Sequence, residues 1–562
     1  SRVGSRGAPP RCKMSTVVWV VEGPPSTEII RRALYSAVVT LTLGVLGSTI
    51  LPVPWAFANL GILPGVAVMA MVAFVNDCTC CMLVRASAIT GKFGYEQLAE
   101  HVGGHRAKVL AQVSLILLLY GTLCGGLAFL ADVSRIMILK GAQPEAAWLD
   151  TAGTTGVAGM SDEGHFASAA LGDSTATAGS WGEDLLALMR RDGRPVMLVV
   201  VATILYPLCL QRHIRQFERA ATVGVVVVVV LMSLIISKAV SEGFPAIASG
   251  ELPLWGFHKG GGAKLPEAFA VLGFAFYMQP MLMPLLAEMP HGESGRRVSE
   301  TSVHIVLYGV ACAAYGTVGV FGAALFGDAT ESNIMVNDLL PGRPMATLAL
   351  YMSLVCYLCF GMVTTHYALR ASIEVLLVGP GVPLDSIRRT ITTTCILLMS
   401  LAVACTFPTA AEKIFAVTGC TAVCLVCYVL PVYIHLKLRS MQRQAQKAAE
   451  QTAYSRCSEP ELFILPAPGA AGVSQQLHAT TAHTPLARSQ GFAEQPELLQ
   501  PLLAEAVQEE LGSSCSSWVS EQVDAWVLPM FIILVGVGCS VAGLYVGAMD
   551  ILASWQKSGG SQ

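Results

Sequence analysis

Residues 40–57, TLTLGVLGSTILPVPWAF, are apolar enough for a membrane-spanning helix but contain residues that interrupt one. Gly44 and Gly47 weaken helical hydrogen bonding. Pro52 and Pro54 lack the N–H that an interior helical position donates. Backbone freed at membrane depth is tolerated only where protein or a water-filled cavity satisfies it. The stretch therefore predicts a broken transmembrane helix with a candidate binding site at the break.

The whole chain has the composition of a polytopic membrane protein. Of its 562 residues, 54% are hydrophobic and 13% are charged, whereas charged residues make up about 25% of an average soluble domain. About eleven apolar stretches approach the length of about 20 residues that a span needs. They lie at approximately 33–60, 63–87, 107–139, 195–210, 220–240, 265–289, 302–326, 345–367, 391–406, 411–436 and 525–554. The predicted fold class is an all-α polytopic membrane protein.

Lys and Arg in the short loops fall on one side of this threading, which the positive-inside rule assigns to the cytosol. The N-terminus is then cytosolic, and the C-terminus lies outside or in a lumen. Because the chain begins at Ser1 rather than at Met, Met14 is a candidate start and Ser1–Lys13 a candidate extension. The predicted organisation is a cytosolic segment, 1–32; a ten-helix core, 33–436, with an outside or luminal loop at 141–194; a disordered cytosolic insertion, 437–524; an eleventh span, 525–555; and a tail, 556–562.

Cysteine spacing and charge exclude several classes of partner. CxxC spacings occur at Cys78/Cys81, Cys356/Cys359 and Cys424/Cys427, all in or at the ends of apolar runs, where Cys acts as a small hydrophobe. No second ligand pair completes a four-ligand zinc site from these spacings, so we predict no metal and no cofactor. The net charge of −3 comes with no basic face, so no nucleic-acid partner is predicted.

The predicted insertion contains a candidate sorting signal. The sequence EQPELL, from Glu494 to Leu499, fits the acidic dileucine pattern that cytosolic coat adaptors bind. A small amphipathic helix is the alternative interpretation. A sorting adaptor is therefore one candidate partner beside the lipid bilayer.

A second span, 266–290, is also interrupted. It contains Gly273, Pro280 and Pro284, and it places Gln279 at membrane depth. The interrupted spans are the first and the sixth, which would be the first helix of each of two five-helix halves. Transporters built on inverted repeats place their substrate between discontinuous helices at such corresponding positions. We therefore predict a 5+5 inverted repeat with discontinuous helices 1 and 6.

The chemistry of two facing breaks suits a zwitterion. The outer half of the first span, starting near Ile50 to Val53, would turn its N–H groups and positive dipole end towards a carboxylate. Carbonyl groups at the ends of the other half-helices would accept from an ammonium group. The predicted substrate-binding residues are Gly44, Gly47, Ser48, Thr49, Phe276, Tyr277 and Gln279.

The sequence resembles the amino acid/auxin permease family over nearly its whole length apart from the two long loops. LGSTILPVPWAFANLG at 46–61 resembles the family's first-helix signature, and GYEQLAEHVGG at 94–104 resembles its cytosolic loop. AFYMQPMLMPLLAEMP at 275–290 and GTVGVFGAALFGDATESNIMVNDL at 316–339 follow in the family's order. The resemblance implies an eleven-helix inverted-repeat fold, alternating access and secondary active transport of neutral or other amino acids. It also implies a vacuolar, lysosomal or plasma membrane.

Departures from the family bear on the coupling ion. Thr49 stands where the family has its second glycine. Sodium-coupled members have Asn where this chain has Leu43 and Thr where it has Gly361. Hard cations need several oxygen ligands, so these losses favour proton over sodium coupling. Thr364 and Thr365 have hydroxyls one turn away, which keeps sodium open as the alternative.

Other polar residues have two interpretations each. Glu288 matches the family's acidic residue before a proline and is either part of a gating ion pair or an interfacial helix end. Tyr120 either faces the ligand or packs in the core. Asp77 is favoured as a residue at the inner end of a helix over a proton site, and His304 as an interfacial residue.

The motifs of hydrolases, nucleotide-binding proteins and metalloproteases are not found in this sequence, so an enzyme is not predicted. The predicted function is a symporter or antiporter of amino acids. The alternative is an endomembrane amino-acid sensor that signals through the insertion at 440–524.

Overall fold

The computed structural model describes residues 27–141, 194–211, 215–290, 292–337, 339–341, 343–379, 386–406, 411–458 and 526–559. Within these ranges every regular element is helical. The all-α prediction is therefore confirmed. The predicted loop at 141–194 and the dileucine sequence EQPELL lie outside the described residues, apart from the ends of that loop.

The described helices follow one another in this order: α1, Thr27–Val45; α2, Val53–Leu60; α3, Ile62–Thr90; α4, Tyr95–Gly141; α5, Arg194–Cys209; α6, Arg215–Glu242; α7, Gly261–Ala275; α8, Gln279–Leu286; α9, Glu293–Ala329; α10, Pro344–Val378; α11, Ser386–Thr406; α12, Ala411–Thr418; α13, Leu430–Ser458; and α14, Leu528–Gly559. A π-helical stretch, Gly419–Val429, joins α12 to α13, and α9 contains a π-helical turn, Ile305–Ala311.

Among the described residues, nine helical segments are long and apolar enough to cross a membrane, or ten if α1 and α2 count as one bent span. The fourth predicted span is α5, which is shorter than the others. The predicted total of about eleven spans therefore requires both the bent pair and α5. The number of spans and the inverted repeat stay predictions.

Two helices extend further than the sequence predicts. The stretch at 94–104 is not a loop, because α4 begins at Tyr95 and continues beyond a kink at Gly104, where φ is 71°. Only glycine adopts that dihedral readily, so the kink needs Gly104. The helix α13 continues to Ser458, so the first part of the predicted disordered insertion is helical.

The chain divides into two compact units, Leu436–Ile532 and the remainder, Ser1–His435 with Ile533–Gln562. In the larger unit the span formed by α7 and α8 is the most enclosed, with 83% of its apolar window buried. The corresponding values for α6 and α11 are 28%, which leaves those helices facing outward. The interrupted span α7/α8 is therefore at the centre of the larger unit.

Candidate substrate-binding site at the paired helix breaks

The first break lies between α1 and α2, whose span is bent by 58° there. The Leu46 N–H donates to Thr42 O at 2.9 Å, which is the last helical bond of α1. A continuous helix would have Pro52 donate to Ser48 O, but proline has no N–H. The Leu51 N–H donates to Ser48 O instead, at 3.2 Å, and closes a 3₁₀ turn. The proline thus removes the helical bond on the outer side of the break, whereas the hydrogen bonding of the helix α1 already ends at Leu46, before Gly47.

Two tyrosines satisfy carbonyl groups that the break frees. Tyr315 of α9 donates its hydroxyl to Val45 O at 2.6 Å. Tyr357 of α10 donates to Leu46 O at 3.0 Å. Since Tyr315 has one hydroxyl proton and gives it to Val45 O, Thr49 Oγ1, 3.0 Å away, donates to the Tyr315 oxygen. Each carbonyl oxygen keeps a second lone pair for a further donor.

The second break lies between α7 and α8. The helix α7 ends at Ala275, and α8 begins at Gln279 with Pro280 in its first turn. In a continuous helix the Met278 N–H would reach Phe274 O. It donates to the side-chain Oε1 of Gln279 at 3.1 Å instead, so the last carbonyls of α7 lose a helical partner. The interruption predicted for the sixth span is present.

Gln279 fixes this break to α3. Its side chain is fully buried, and its Nε2 donates to Asn76 Oδ1 and to Thr79 Oγ1, each at 3.0 Å. Because Oε1 also accepts from the Met278 N–H, both amide protons and the amide oxygen are used within the protein. The structure therefore places Gln279 in the scaffold that supports the predicted site.

The two breaks lie side by side. The ring of Phe276 is 5.1 Å from the ring of Tyr315, centroid to centroid, and Tyr315 is the residue that bonds to Val45 O. A Cβ atom on Gly44 would overlap the Sδ atom of Met281, so α1 and α8 pack directly against each other at that glycine. Two segments far apart in sequence are thus brought together as predicted.

Open space adjoins the first break at Gly47. Among the described residues, a Cβ atom built on Gly47 meets Val45 O at 3.9 Å and no other atom within 4 Å. Ser48 is half-buried beside it. The space beside Gly44, one turn earlier, is filled by the side chain of Met281. Of the predicted glycines, Gly47 is therefore the one that leaves room for a ligand.

The predicted aromatic residues are enclosed in this conformation. Phe276 is fully buried and Tyr277 is 7% exposed. The Tyr277 oxygen lies 3.5 Å from Thr122 Oγ1 of α4, and its ring centroid is 5.3 Å from that of Phe274. Phe276 therefore lies against the first break through Tyr315, whereas Tyr277 faces α4.

The hydroxyl groups predicted as possible ion ligands bond within their own helix. Thr364 and Thr365 of α10 both donate to Gly361 O, at 2.8 and 3.1 Å. A Cβ atom on Gly361 would meet nothing within 4 Å among the described residues. The threonines are half-buried, and each hydroxyl oxygen keeps lone pairs for a further partner.

The two remaining predicted residues lie away from the breaks. Glu288 is exposed just beyond the end of α8, and no ion pair with another described residue is found for it. Tyr120 of α4 lies beside Cys124 and near Ser400 of α11. The structure thus brings Gly44, Gly47, Ser48, Thr49 and Phe276 together and leaves these two outside that group.

Four residues that support the breaks were not predicted as site residues: Tyr315, Tyr357, Asn76 and Thr79. The signal for Asn76 was a polar residue within an apolar span, where it needs a protein partner. The tyrosines gave no comparable signal, because a tyrosine in an apolar run is also a common core residue.

Comparison with known proteins identifies the family of the chain. The family model described as "Transmembrane amino acid transporter protein" matches residues 32–136 and 182–458, which is more than half of the chain. The chain belongs to this transporter family. A member from Arabidopsis thaliana, amino acid transporter AVT6E, is 23% identical over 436 residues, covering 75% of this chain and 78% of that protein.

Two further relatives extend the comparison. Vacuolar amino acid transporter 2 of Saccharomyces cerevisiae is 22% identical over 438 residues, covering 74% of this chain and 78% of that protein. Solute carrier family 38 member 10 of Mus musculus is 20% identical over 415 residues, covering 72% of this chain and 33% of that protein. The transporter family is a family of membrane carriers and not of enzymes, as expected from the sequence. The alternative of a sensor receives no support from these relatives.

Proposed function

We propose that this chain is a secondary active transporter that moves neutral amino acids across a membrane by alternating access, coupled to protons. The observation that carries the proposal is the meeting of two broken helices beside the open space at Gly47. In inverted-repeat transporters, discontinuous helices at corresponding positions form the substrate site. Membership of the amino acid transporter family supports the substrate class.

The substrate carboxylate is proposed to bind at the start of the 3₁₀ turn that follows the first break. The first bond of that turn runs from the Ile50 N–H to Gly47 O at 3.3 Å. The Gly47 N–H is directed at the Tyr315 hydroxyl oxygen, but the N–H groups of Ser48 and Thr49 follow it, and the first N–H groups of a helix have no partner within the helix. They are therefore suited to an anion, and Gly47 leaves the space for one.

The ammonium group is proposed to lie at the other polar surface of the break, against Val45 O and Leu46 O. Both oxygens already accept a tyrosine hydroxyl, and each has a second lone pair. Backbone groups would thus hold both charges of the zwitterion without a buried ionised side chain, which is costly in a membrane.

Proton coupling is proposed over sodium coupling because of two positions. Leu43 and Gly361 stand where sodium-coupled relatives have Asn and Thr, so two oxygen ligands that a hard cation needs are missing. The name of the yeast relative supports a vacuolar or other endomembrane. The N-terminus is proposed to lie on the cytosolic side because of the Lys and Arg residues in the short loops.

The experiment that tests the proposal is a gradient-resolved uptake panel. The full chain is reconstituted into liposomes, and a set of labelled neutral, basic and acidic amino acids is offered under an imposed pH gradient, an imposed sodium gradient or neither. Uptake of at least one neutral amino acid, faster with the pH gradient than with the sodium gradient, is expected. No uptake above that of protein-free liposomes under any gradient would overturn the proposal.

A further inference from the structure

A histidine, a carboxylate and a thiol converge between α3 and α9. The thiol belongs to one of the cysteines of the Cys78/Cys81 spacing. Asp77 and Cys81 are four residues apart on α3 and so share one face of that helix. His304 reaches them from α9, with its Nδ1 atom 2.6 Å from Asp77 Oδ1. The ligand atoms of the three side chains all lie within 4.8 Å of one another.

We propose that Asp77, Cys81 and His304 bind a divalent metal ion of the zinc class. Imidazole nitrogen, thiolate sulfur and carboxylate oxygen are the ligands that zinc takes in proteins, and three protein ligands with one water are a common set. At metal–ligand distances of about 2.0–2.3 Å, tetrahedral ligands lie about 3.3–3.7 Å apart. Compared with the 2.6 Å between Nδ1 and Oδ1 and the upper limit of 4.8 Å among the ligand atoms, this geometry requires the ligand atoms to move by about 1 Å.

The neighbouring arginines pair with Glu300 rather than with Asp77, so they leave the Asp77 carboxylate available for a metal ion. Arg85, two turns along α3 from Asp77, pairs with Glu300 of α9 at 3.2 Å, and Arg296 lies 3.5 Å from the same Glu300. The nearest cations are thus engaged by a different carboxylate. The Tyr308 hydroxyl, which faces Asp77 Oδ2 at 3.4 Å, is placed to bond to the carboxylate oxygen that does not bind the metal.

The cluster lies close to a group of charged residues. His304 is four residues, about one helical turn, beyond Glu300 on α9, and Glu300 pairs with Arg85 of α3, so an ion would reach the imidazole from this charged end of the two helices. On binding, the metal replaces the His304–Asp77 hydrogen bond, the imidazole takes the neutral form with its proton on Nε2 and none on Nδ1, and Cys81 releases its thiol proton to water. His304 also directly precedes the π-helical turn Ile305–Ala311, a kind of turn that is frequent at functional sites.

A metal ion bound by this cluster would link α3 and α9, the two helices whose side chains support the breaks. The helix α3 carries Asn76 and Thr79, which hold Gln279 at the start of α8. The helix α9 carries Tyr315, which holds Val45 O at the end of α1. An ion that fixes α3 to α9 is therefore expected to inhibit a transport cycle that moves these elements. This effect rests on the proposed function, whereas metal binding does not.

Binding is tested on the purified full chain in detergent, by competition of Zn²⁺ between the protein and a fluorescent zinc chelator. We expect one ion per chain with a dissociation constant below about 100 μM, and at least tenfold weaker binding, about 1.4 kcal/mol, in Cys81→Ser and in His304→Ala. Cys78→Ser is the matched control, since this neighbouring cysteine is outside the cluster, and it should bind as the unchanged protein does. Weaker binding by the unchanged protein, or equal binding by all variants, would overturn the site.

A second arm measures zinc inhibition of amino acid uptake in proteoliposomes with Zn²⁺ on both sides. We expect inhibition of the unchanged protein and at least tenfold less sensitivity in Cys81→Ser, which keeps the side-chain volume. Equal sensitivity of the two would overturn the inhibitory role. If the chain transports nothing, the proposed function fails while the binding measurement still decides whether the metal site exists.

Discussion

At the scale of single residues, Gly47→Val is expected to weaken substrate binding at least tenfold, about 1.4 kcal/mol, while the protein still folds. The backbone at Gly47 has φ −124° and ψ −163°, an extended conformation that valine adopts without strain. The added side chain enters the space proposed for the carboxylate. The measurement is equilibrium binding, to the purified protein, of the amino acid that the uptake panel identifies.

Gly538→Val of α14 is the matched control, because a Cβ atom there also meets nothing within 4 Å among the described residues. It should bind substrate with the affinity of the unchanged protein. If Gly47→Val also binds normally, the first break is not the substrate site.

Tyr315→Phe is expected to lower the free energy of unfolding by about 1–2 kcal/mol, the range measured for hydrogen bonds between membrane helices in peptides. The variant leaves Val45 O and Thr49 Oγ1 without the Tyr315 hydroxyl. Thermal unfolding in detergent measures the loss. Tyr545→Phe, at a side chain that is 68% exposed, should leave the unfolding temperature unchanged; an equal temperature for both variants would mean that Tyr315 does not hold the break.

The residues at the breaks were more predictable than the residues that support them. Gly47 and Pro52 act through their own backbone, so their effect is visible in the local sequence. The donors to Val45 O and Leu46 O come from 270 and 311 residues further along the chain. Nothing in the spacing of one sequence specifies which distant tyrosine reaches a freed carbonyl.

At the scale of helices, Pro52→Ala is expected to slow uptake several-fold without loss of expression. Alanine restores an N–H that can donate to Ser48 O, in competition with the present 3.2 Å bond from Leu51, and so favours a continuous helix through the break. The measurement is the initial rate of uptake in proteoliposomes.

Pro284→Ala is the control for that experiment, because this proline lies inside α8 rather than at a break. Its restored N–H would strengthen α8 itself, and uptake should be close to that of the unchanged protein. A Pro52→Ala rate equal to that of Pro284→Ala would argue against the interrupted helix as the working part of the site.

Both interruptions followed from the sequence, because proline removes a helical donor wherever it stands. Helix ends without such a residue were harder to place. The extension of α13 to Ser458 and the helical start of α4 at Tyr95 occur in polar stretches, where apolar length gives no signal. The length of α5 fell below a normal span in both the sequence and the structure.

At the scale of the whole molecule, the described spans differ in how much of their apolar surface is buried by other helices. The span α7/α8 has 83% of its apolar window buried, whereas α14 has 22%. The sequence could not rank them, since both are apolar along their length and a helix facing lipid has the same composition as one facing protein. The ranking agrees with a central substrate site that α7 and α8 help to form.

The most direct test of secondary active transport is a time course of one labelled neutral amino acid into proteoliposomes under an imposed pH gradient, with and without a protonophore. The account predicts that the internal concentration rises above the external one and that the protonophore abolishes this accumulation. Uptake that stops at the external concentration in both conditions, or accumulation that the protonophore leaves intact, would contradict proton-coupled transport.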